Sequence, residues 1–472
     1  MNFTHPHFFI FFLAFLIPYF LTKGKERLFI LLIASYCFYA YFSLAYCLLL
    51  LISTLADYIF VKKMTTEESK SNKRLLICSV CFNLGLLAVF KYKGFFWNDC
   101  LAPLTAYMGF DLPVIEKSLP PVGISFFTFQ TMSYSIDVYR GHLNKSQSFL
   151  QFAVYVSMFP QLVAGPIVRA KDLLFQISEK IQIRIGDIRD GLKRFIWGFF
   201  KKACIADTLA LTLVDPVFLT PENYSPFQLC LGVLAYSFQI YFDFSGYSDM
   251  AIGVGRMIGF KFPENFKHPY QSKSFSEFWT RWHISLSSWL RDYLYISMGG
   301  SRSGAVRTLL NLMITMLLGG LWHGASFLFI FWGFMHGVLL IIERLILFAF
   351  PKAFIEKVPG IVKSLLVFLS VTMCWIPFRS QKTEDMLIFM KAPFNLDYGN
   401  LLGDIFALNI DVKCLLLICF VSHFFRVGLM QKLYFKKWPF ELKLVVLASL
   451  LFFMIHYYPD NTQEIPFIYF RF

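Results

Sequence analysis

The chain has 472 residues, of which 57% are hydrophobic and only 16% charged, and its formal net charge is +14. A soluble protein carries about a quarter charged residues, and a soluble chain of this length would divide into domains joined by polar linkers, which are not seen here. The composition therefore excludes a large soluble protein and predicts an all-α, polytopic membrane protein. Lys and Arg cluster in short loops between apolar runs, so the positive charge indicates orientation in the bilayer and not nucleic-acid binding.

The N-terminal part of the chain contains four apolar runs of spanning length. They cover residues 8–22, 28–43, 45–61 and about 75–90. The first has no basic n-region and no small-residue cleavage site, so we do not expect a cleaved signal peptide. Basic loops at 23–27 and 62–74 fall on one side, which the positive-inside rule places in the cytoplasm, with the N-terminus outside. The isolated pair Cys78 and Cys81 is expected to pack in the core and not to bind metal.

The next elements are unusually polar for membrane helices. After a predicted outer loop at 94–120, a helix opens at Pro120-Pro121 and contains seven polar residues: Ser125, Thr128, Gln130, Thr131, Ser133, Ser135 and Asp137. Lipid-facing helices do not tolerate so many, so this helix is expected to face protein or a watery cavity. The run 149–166 contains Pro160, Gly165 and Pro166, which predicts a broken or re-entrant helix.

Residues 167–202 form the most polar part of the core and predict an interfacial segment at the cytoplasmic face. Membrane anchoring by its Lys and Arg side chains is the favoured role, and attraction of an anionic ligand is the alternative. Spans at 206–219 and 226–244 follow. Asp243 and Asp249 lie six positions apart, about 240° around a helix, so they are expected to cap a helix or hold a neighbouring Arg and not to form a carboxylate pair.

Two Trp-His pairs, Trp282-His283 and Trp322-His323, dominate the stretch from Phe275 to Gly337. His323 lies in an apolar run, where an ionisable group is costly and usually functional. Gly319-Gly320 and Gly324-Ala325-Ser326 flank it, and small residues let another backbone or a ligand approach. A satisfied core histidine is the simpler alternative for an isolated His, but this setting favours catalysis by His323. His283, among polar residues that include Arg281 and Ser285, is expected to be catalytic or binding.

The other histidines of this region carry weaker signals. His268 lies beside Pro269 in a polar connector, and His336 lies 13 residues beyond His323, about 220° around a straight helix. We expect a loop position for the first and a packing role for the second.

A buried neutral His can take a proton from a hydroxyl group that attacks a thioester. The chain has no GxSxG elbow, no HExxH zinc signature and no phosphate loop, and Gly253–Gly259 misses GxGxxG by one residue. Acyl transfer assisted by His, with no metal, is therefore the hypothesis with the fewest assumptions. Apolar runs at 338–350, 361–378, 412–426 and 442–458 complete about eleven expected spans, with no internal repeat.

Six chained motifs support a family assignment. They are PVGISFFTFQTMSYSIDVYRG (121–141), FPQLVAGPI (159–167), FDFSGYSDMAIG (242–253), PENFKHPY (263–270), FWTRWHISLSSWLRDYLYISMGG (278–300) and LLGGLWHGASF (317–327). Together they closely resemble the membrane-bound O-acyltransferase family, in its bacterial alginate O-acetylase branch. The resemblance covers most of residues 90–340. The N-terminal spans (8–90) and the C-terminal spans (338–458) match in hydrophobic character, and we expect one membrane domain over 1–472.

The resemblance implies a ring of helices around a thin wall pierced by a tunnel. His323 matches the family's catalytic histidine and His283 its second polar position. The candidate supporting or substrate-binding residues are Trp322, Trp282, Arg281, Ser285, Asp249, Asp243, Ser326 and Gln130. The resemblance also implies acetyl-CoA or another acyl thioester as a donor from the cytoplasm, with no tightly bound cofactor. The acceptor would be an exported polysaccharide, and the partner an extracytoplasmic, esterase-like (SGNH) acetyl-handling protein at the bacterial inner membrane.

Four alternatives stay open at this point. Relatives acetylate peptidoglycan, and a related branch transfers D-alanine to teichoic acid. A lipid acyltransferase with a long-chain donor is a weaker alternative. A solute transporter or channel is the alternative outside the enzymes, although the chain has a single polar island centred on His and no repeats.

Overall fold

The structure is a computed structural model that describes residues 1–65, 70–116, 119–144, 148–179, 181–302, 304–396, 403, 408, 410–424 and 467–468. Its α-helices are Pro6–Leu21, Gly24–Ala40, Leu44–Lys63, Lys70–Leu87, Ala102–Tyr107, Ile124–Tyr139, Phe149–Ser157, Phe159–Leu162, Ala170–Ser178, Ile185–Phe199, Asp207–Leu209, Asp215–Leu219, Pro226–Met257, Phe275–Arg281, Ile284–Trp289, Ala305–His323, Phe327–Ala349, Lys352–Glu356, Gly360–Arg379, Thr383–Lys391 and Ile410–Phe424. Five segments are π-helical: Ala88–Tyr92, Phe95–Leu101, Phe200–Ala206, Ala210–Val214 and Leu290–Tyr295. Three are 3₁₀ turns: Pro221–Asn223, Pro269–Gln271 and Ala392–Phe394. No strand occurs in these residues, and the predicted all-α class is confirmed.

Five of the helices are long and apolar enough to cross a membrane. They are Leu44–Lys63, Lys70–Tyr92, Ala305–His323, Phe327–Ala349 and Gly360–Arg379. The protein is therefore a multi-pass membrane protein, as predicted. The predicted number of about eleven spans is not confirmed in the part of the chain that the structure describes. The run 206–219 is a chain of short helical pieces, and the run 442–458 lies outside the described residues.

The described chain forms two compact units. The first consists of Met1–Trp197 and Tyr247–Glu264, and the second of Gly198–Gly246 with the residues from Asn265 onward. The predicted single domain and the ring with its tunnel concern the arrangement of the whole chain, and they stay predictions.

In the first unit, the predicted polar helix is Ile124–Tyr139, and its polar face is buried against protein. Thr131 donates a hydrogen bond to Asn83, and the hydroxyl oxygens of Ser135 and Ser79 lie 2.8 Å apart. Ser79 and Asn83 in turn donate to the carboxylate of the buried Asp57, at 2.5 and 2.8 Å. Polar side chains that satisfy one another in this way can be buried at low cost.

Glycine and proline determine where this part of the chain turns. Gly123, just before the polar helix, has φ +77°, and a Cβ there would lie 2.6 Å from the carbonyl oxygen of Leu162. Only glycine tolerates both conditions. The predicted break in the run 149–166 occurs at Met158, between Phe149–Ser157 and the single turn Phe159–Leu162.

The helix Ile185–Phe199 lies in the polar segment that sequence analysis placed at the membrane interface. Ion pairs link Arg256 of the first unit to Asp187 at 3.4 Å and to Asp190 at 3.0 Å. Exposed basic and apolar residues, Lys193 and Trp197 among them, cover the outer face of this helix. A helix with Lys and Trp on one outer face is typical of a membrane–water interface.

In the second unit, Ala305–His323 and Phe327–Ala349 form a tight helical hairpin. A Cβ at Gly320 would collide with the backbone oxygen of Phe329, and one at Gly333 would collide with that of Met316. The two backbones can approach so closely only because both positions are glycine. The hairpin therefore brings the end of the first helix, His323, against the start of the second.

Candidate functional site

His323 is the last residue of the helix Ala305–His323 and is 4% exposed. Three aromatic rings surround its imidazole edge-on: Trp322 and Trp332 with centroids 5.0 Å away, and Phe378 at 5.3 Å. The helix ends there because Gly324 is extended, with φ −160°. His323 therefore lies at a helix break inside a mostly apolar pocket.

Ser326 has a local role. Its hydroxyl group accepts a hydrogen bond from the backbone N–H of Leu328 at 3.1 Å and caps the helix Phe327–Ala349. This N-cap satisfies a backbone donor that would otherwise lack an intrahelical partner. Ser326 thus supports the turn after His323, and it does so by binding the backbone of the following helix.

His283 lies between the short helices Phe275–Arg281 and Ile284–Trp289 and is fully buried. Its backbone is left-handed, with φ 42° and ψ 54°, which is uncommon for a residue other than glycine. Its Nδ1 lies 3.2 Å from Oδ1 of Asn265 and 3.5 Å from the hydroxyl oxygen of Ser285. Burial lowers the pKa of His283 to about 3, so the ring is neutral near pH 7.

Trp322 connects the two predicted histidines. Its ring contacts the ring of His283 at 6.0 Å and that of His323 at 5.0 Å, with interplanar angles of 68° and 84°. The two Trp-His pairs, 40 positions apart in the sequence, therefore meet in one buried aromatic site. This arrangement places two imidazoles around one indole, in surroundings from which water is largely excluded.

Trp282 and Arg281 are neighbours in the chain but have different surroundings. Trp282 is 1% exposed and packs on Trp375 at 4.9 Å and on Phe278 at 5.6 Å. Arg281 instead pairs with Glu277 one turn earlier, at 2.6 Å, with both side chains about one-third exposed. Such a surface pair contributes about 0.3–0.5 kcal/mol, so the structure gives Arg281 a partner on its own helix.

Asp243 is a buried carboxylate that contacts Lys202 and Ile468. Its Oδ1 lies 2.7 Å from Nζ of Lys202, and Lys202 also lies 2.5 Å from Asp207. Its Oδ2 accepts a hydrogen bond from the backbone N–H of Ile468 at 2.9 Å. Burial lowers the pKa of Lys202, but Asp207 and Asp243 outweigh that effect and hold the pKa above its ordinary value. The predicted cationic partner is present, although it is a lysine and not an arginine.

Asp249 and Gln130 belong to the first unit. Arg194 donates two hydrogen bonds to Oδ1 of Asp249, at 2.8 and 2.9 Å, and also pairs with Glu264. The side-chain amide of Gln130 donates to the backbone oxygen of Tyr155 at 3.0 Å. Asp249 thus holds an arginine, as sequence analysis expected, and Gln130 ties two helices together within its own unit.

Sequence analysis missed four residues that shape the site. Asn265 lies in the polar connector PENFKHPY, two residues after Pro263, and its place in that motif was the available signal. Phe378, Trp375 and Trp332 come from apolar runs that carry no such signal. His336, expected to pack, is buried against Trp332 at 4.8 Å and Trp279 at 5.0 Å. His323 and His336 therefore share Trp332, because the break at Gly324 removes the straight-helix geometry.

A groove of about 370 Å³ lies in the second unit beside this aromatic cluster. Hydroxyl groups such as that of Ser287, the guanidinium groups of Arg291 and Arg344, and apolar side chains such as Met316 line it. Trp279 forms part of its wall, and its indole N–H has no hydrogen-bond acceptor among the described residues. The groove can therefore take an elongated molecule that has both polar and apolar parts.

The part of the chain that contains this site is similar to known proteins. The family model of the membrane-bound O-acyltransferases matches residues 133–380, which include both Trp-His pairs, Asn265 and Phe378. A probable alginate O-acetylase AlgI of Pseudomonas aeruginosa is 43% identical over 389 residues, covering 82% of this chain and 73% of the relative. The homologous protein of Pseudomonas putida, with the same description, is 44% identical over 376 residues, covering 79% and 76%.

A further relative has a different description. The peptidoglycan O-acetyltransferase of Helicobacter pylori is 36% identical over 401 residues, covering 78% of this chain and 73% of the relative. The family match spans more than half of this chain, and these relatives are aligned over most of their length. The chain belongs to the membrane-bound O-acyltransferase family, and it is a membrane-embedded O-acyltransferase.

Proposed function

We propose that the enzyme transfers an acetyl group from a thioester such as acetyl-CoA to a hydroxyl group, for O-acetylation of an exported, alginate-like polysaccharide. The observation that carries the proposal is the contact of Trp322 with the rings of both His283 and His323. The description of the Pseudomonas aeruginosa relative supports the choice of acetyl group and polysaccharide. Membership of an acyltransferase family favours this enzyme over the transporter alternative.

In this proposal, His323 is the general base. It takes the proton of the attacking hydroxyl group while that oxygen bonds to the thioester carbonyl carbon, and the tetrahedral intermediate then expels the thiol, which recovers a proton. His283 acts at the same centre as a second base or as a binding group. The contact of both rings with Trp322 supports this scheme, because it places two side chains that can accept a proton around one indole.

The groove in the second unit is proposed as part of the donor path. A thioester donor such as acetyl-CoA carries amides, hydroxyl groups and phosphates, which suit the hydroxyl-lined wall and the guanidinium groups of Arg291 and Arg344. The indole N–H of Trp279 is available to a donor carbonyl group. Trp279 also contacts His336 and Trp332, and Trp332 in turn contacts His323.

The remaining site candidates are proposed as supports. Trp282 and Ser285 stabilise the surroundings of His283, Asp243 holds Lys202, and Ser326 caps the helix that follows His323. Three residues are proposed to act at greater distance. Asp249 and Gln130 act through the elements that they join, and Arg281 acts through its own helix.

The orientation follows from the basic loops. We propose a bacterial inner-membrane protein with its N-terminus outside the cytoplasm, a donor entering from the cytoplasm and an acceptor on the outer face. An extracytoplasmic, esterase-like protein is the proposed partner that passes the acetyl group to the glycan.

The test compares His323→Ala and His283→Ala with His268→Ala, an exposed loop histidine that serves as a matched control. Membrane levels of each variant are measured by immunoblot, and O-acetyl groups are measured on isolated glycans. We expect normal insertion of all three, loss of acetylation for His323→Ala, a large decrease for His283→Ala, and full acetylation for the control. Full acetylation with His323→Ala would show that His323 is not the base.

The acceptor is tested in the same cells. The Helicobacter pylori relative favours peptidoglycan as the second candidate acceptor. Exopolysaccharide and peptidoglycan are isolated separately from cells with and without His323→Ala, and the O-acetyl content of each is measured. The fraction that loses acetyl groups identifies the acceptor, and loss of D-alanine from teichoic acid instead would overturn the acetyl assignment.

A further inference from the structure

We infer that Asn265 is a positioning residue that holds His283 in a single tautomer, with the proton on Nδ1 and the lone pair on Nε2. The inference rests on the proposed function, in which His283 is part of the site. Asn265 is 1% exposed and lies 18 positions before His283, in the connector that precedes the short helices.

The orientation of the Asn265 amide follows from Ser285. The backbone N–H of Ser285 points at one terminal atom of the amide at 3.2 Å, and the Ser285 hydroxyl group lies 2.9 Å from the same atom. A backbone N–H can only donate a hydrogen bond, so that atom must be the amide oxygen and not the amide nitrogen. Two independent donors therefore determine which end of Asn265 faces His283.

The tautomer of His283 follows from that orientation. Nδ1 lies 3.2 Å from the same oxygen of Asn265, and an oxygen that only accepts requires a donor opposite it. Nδ1 must therefore carry the proton. The second neighbour of Nδ1, the Ser285 hydroxyl oxygen at 3.5 Å, is compatible because that hydroxyl donates its own proton to Asn265. In a neutral imidazole the lone pair then lies on Nε2.

The backbone of Asn265 supports the same geometry. Its carbonyl oxygen accepts a hydrogen bond from the backbone N–H of Ile284 at 2.9 Å, next to the left-handed residue His283. Such strained conformations persist where the surroundings stabilise them, and they cluster at functional sites. One residue thus holds both the backbone turn and the ring of His283, while Phe244 packs edge-on against that ring at 4.6 Å.

This tautomer determines which nitrogen of His283 can take part in the reaction. Nε2 is the atom of His283 that can accept a proton, or a hydrogen bond from the acceptor hydroxyl group, and rotation of the ring is opposed by Asn265 and Phe244. Among the described residues, the charged and titratable groups on the elements packed against His283 include Asp243 with its partner Lys202, beside Phe244, and His323, beyond Trp322. Lys267 and His268 follow Phe266, whose ring lies 6.4 Å from that of His283. These groups are the same in the variants compared below.

The experiment measures acetyl transfer in membranes against pH for the full chain, with [¹⁴C]acetyl-CoA as donor, normalised to the inserted protein. Asn265→Leu removes the acceptor oxygen and is expected to lower the rate by about tenfold or more at every pH. Asn265→Asp keeps the oxygen acceptor and adds a negative charge that favours protonated His283. We therefore expect it to retain activity at high pH and to lose activity on acidification at a pH at least about one unit higher than the parent enzyme.

Asn311→Leu is the matched control, because it removes another buried amide of the second unit, which donates to Met298 and Gly300. Its pH profile is expected to match that of the parent. Unshifted profiles for Asn265→Asp would overturn the inference, even if Asn265→Leu does not insert. If His283→Ala abolishes transfer while Asn265→Leu is fully active, the inference fails and the proposed function stands. If His283→Ala is fully active, the assumed role of His283 is itself wrong.

Discussion

The backbone N–H of Ile468 donates a hydrogen bond to the side chain of Asp243, a residue 225 positions earlier, at 2.9 Å. Phe467, next to it, is fully buried and packs on Phe244 at 5.6 Å, and Phe244 lies against the ring of His283. The segment 467–468 is therefore part of the wall behind the candidate site, held there by a carboxylate.

This relationship predicts different results for two substitutions of Ile468. Ile468→Pro removes the N–H that Asp243 accepts, and a hydrogen bond to a charged group contributes about 1.5–3 kcal/mol. Ile468→Val keeps the N–H and most of the apolar volume. We expect a lower thermal unfolding midpoint in detergent and a lower rate of acetyl transfer for the proline variant only. Equal midpoints for the two variants would show that this hydrogen bond contributes nothing.

Lys202 is predicted to be essential for stability. It is 1% exposed and neutralises Asp207 and Asp243 at 2.5 and 2.7 Å. Lys202→Met leaves two buried carboxylates without their cation, a loss that costs about 3–5 kcal/mol. Arg281→Met, which breaks only the half-exposed pair with Glu277, is the control and is expected to cost less than about 0.5 kcal/mol. Chemical or thermal unfolding in detergent measures both, and similar losses in the two variants would contradict the prediction.

The glycine contacts of the helical hairpin predict a steric effect. A Cβ at Gly333 would collide with the backbone oxygen of Met316, which cannot move as a flexible side chain can. Gly333→Ala is expected to destabilise the second unit by about 1–3 kcal/mol and to reduce acetylation, since the hairpin carries His323.

Gly85→Ala provides the comparison. Gly85 also lies in an apolar helix, Lys70–Leu87, but a Cβ there meets nothing within 4 Å. The alanine is expected to leave the protein unchanged or to stabilise its helix by about 0.5–1 kcal/mol. The amount of folded protein, measured by size-exclusion chromatography with a fluorescent fusion, distinguishes the two. Equal yields would mean that the hairpin tolerates a wider separation.

The burial of His283 predicts an acid-sensitive fold. Burial lowers its pKa from 6.5 to about 3, so between these values the unfolded chain binds one proton more than the folded chain. The stability that His283 contributes is thus present above pH 6.5 and decreases by about 1.4 kcal/mol for each pH unit of acidification within this window. His283→Asn keeps a residue that tolerates the left-handed conformation and removes the titrating ring.

Unfolding midpoints in detergent between pH 4.5 and 7.5 test this prediction. The parent protein is expected to lose stability more steeply on acidification than His283→Asn. Parallel curves would show that His283 is not the group that binds the additional proton on unfolding.

Much of the fold class and the family could be predicted from local patterns. Apolar runs of spanning length predicted a multi-pass helical protein, and the motifs around Trp282-His283 and Trp322-His323 indicated the family that comparison then confirmed. Gly319-Gly320 predicted close packing near His323, and the structure has that packing at Gly320. Apolar runs, motifs and paired glycines consist of residues that are close in the chain, so they can be recognised from periodicity and spacing.

Sequence reasoning was weaker where a helix breaks or where partners are distant. The angle assigned to His336 assumed a straight helix, but Gly324 interrupts it, and both His323 and His336 contact Trp332. Asp243 was expected to cap a helix or to hold a neighbouring arginine, and the structure has Lys202 beside it.

The sequence by itself determined that the chain is a helical membrane protein of this acyltransferase family with two Trp-His pairs, because hydropathy and motif spacing are properties of contiguous residues. Only the tertiary structure decided that Trp322 contacts both imidazoles, that Asn265 orients His283 and that Ile468 reaches Asp243. The contacts of Trp322 with His283, of Asn265 with His283 and of Ile468 with Asp243 join residues between 18 and 225 positions apart. Such contacts depend on how helices pack and where helices end. Neither can be predicted from the pattern of residues along the chain.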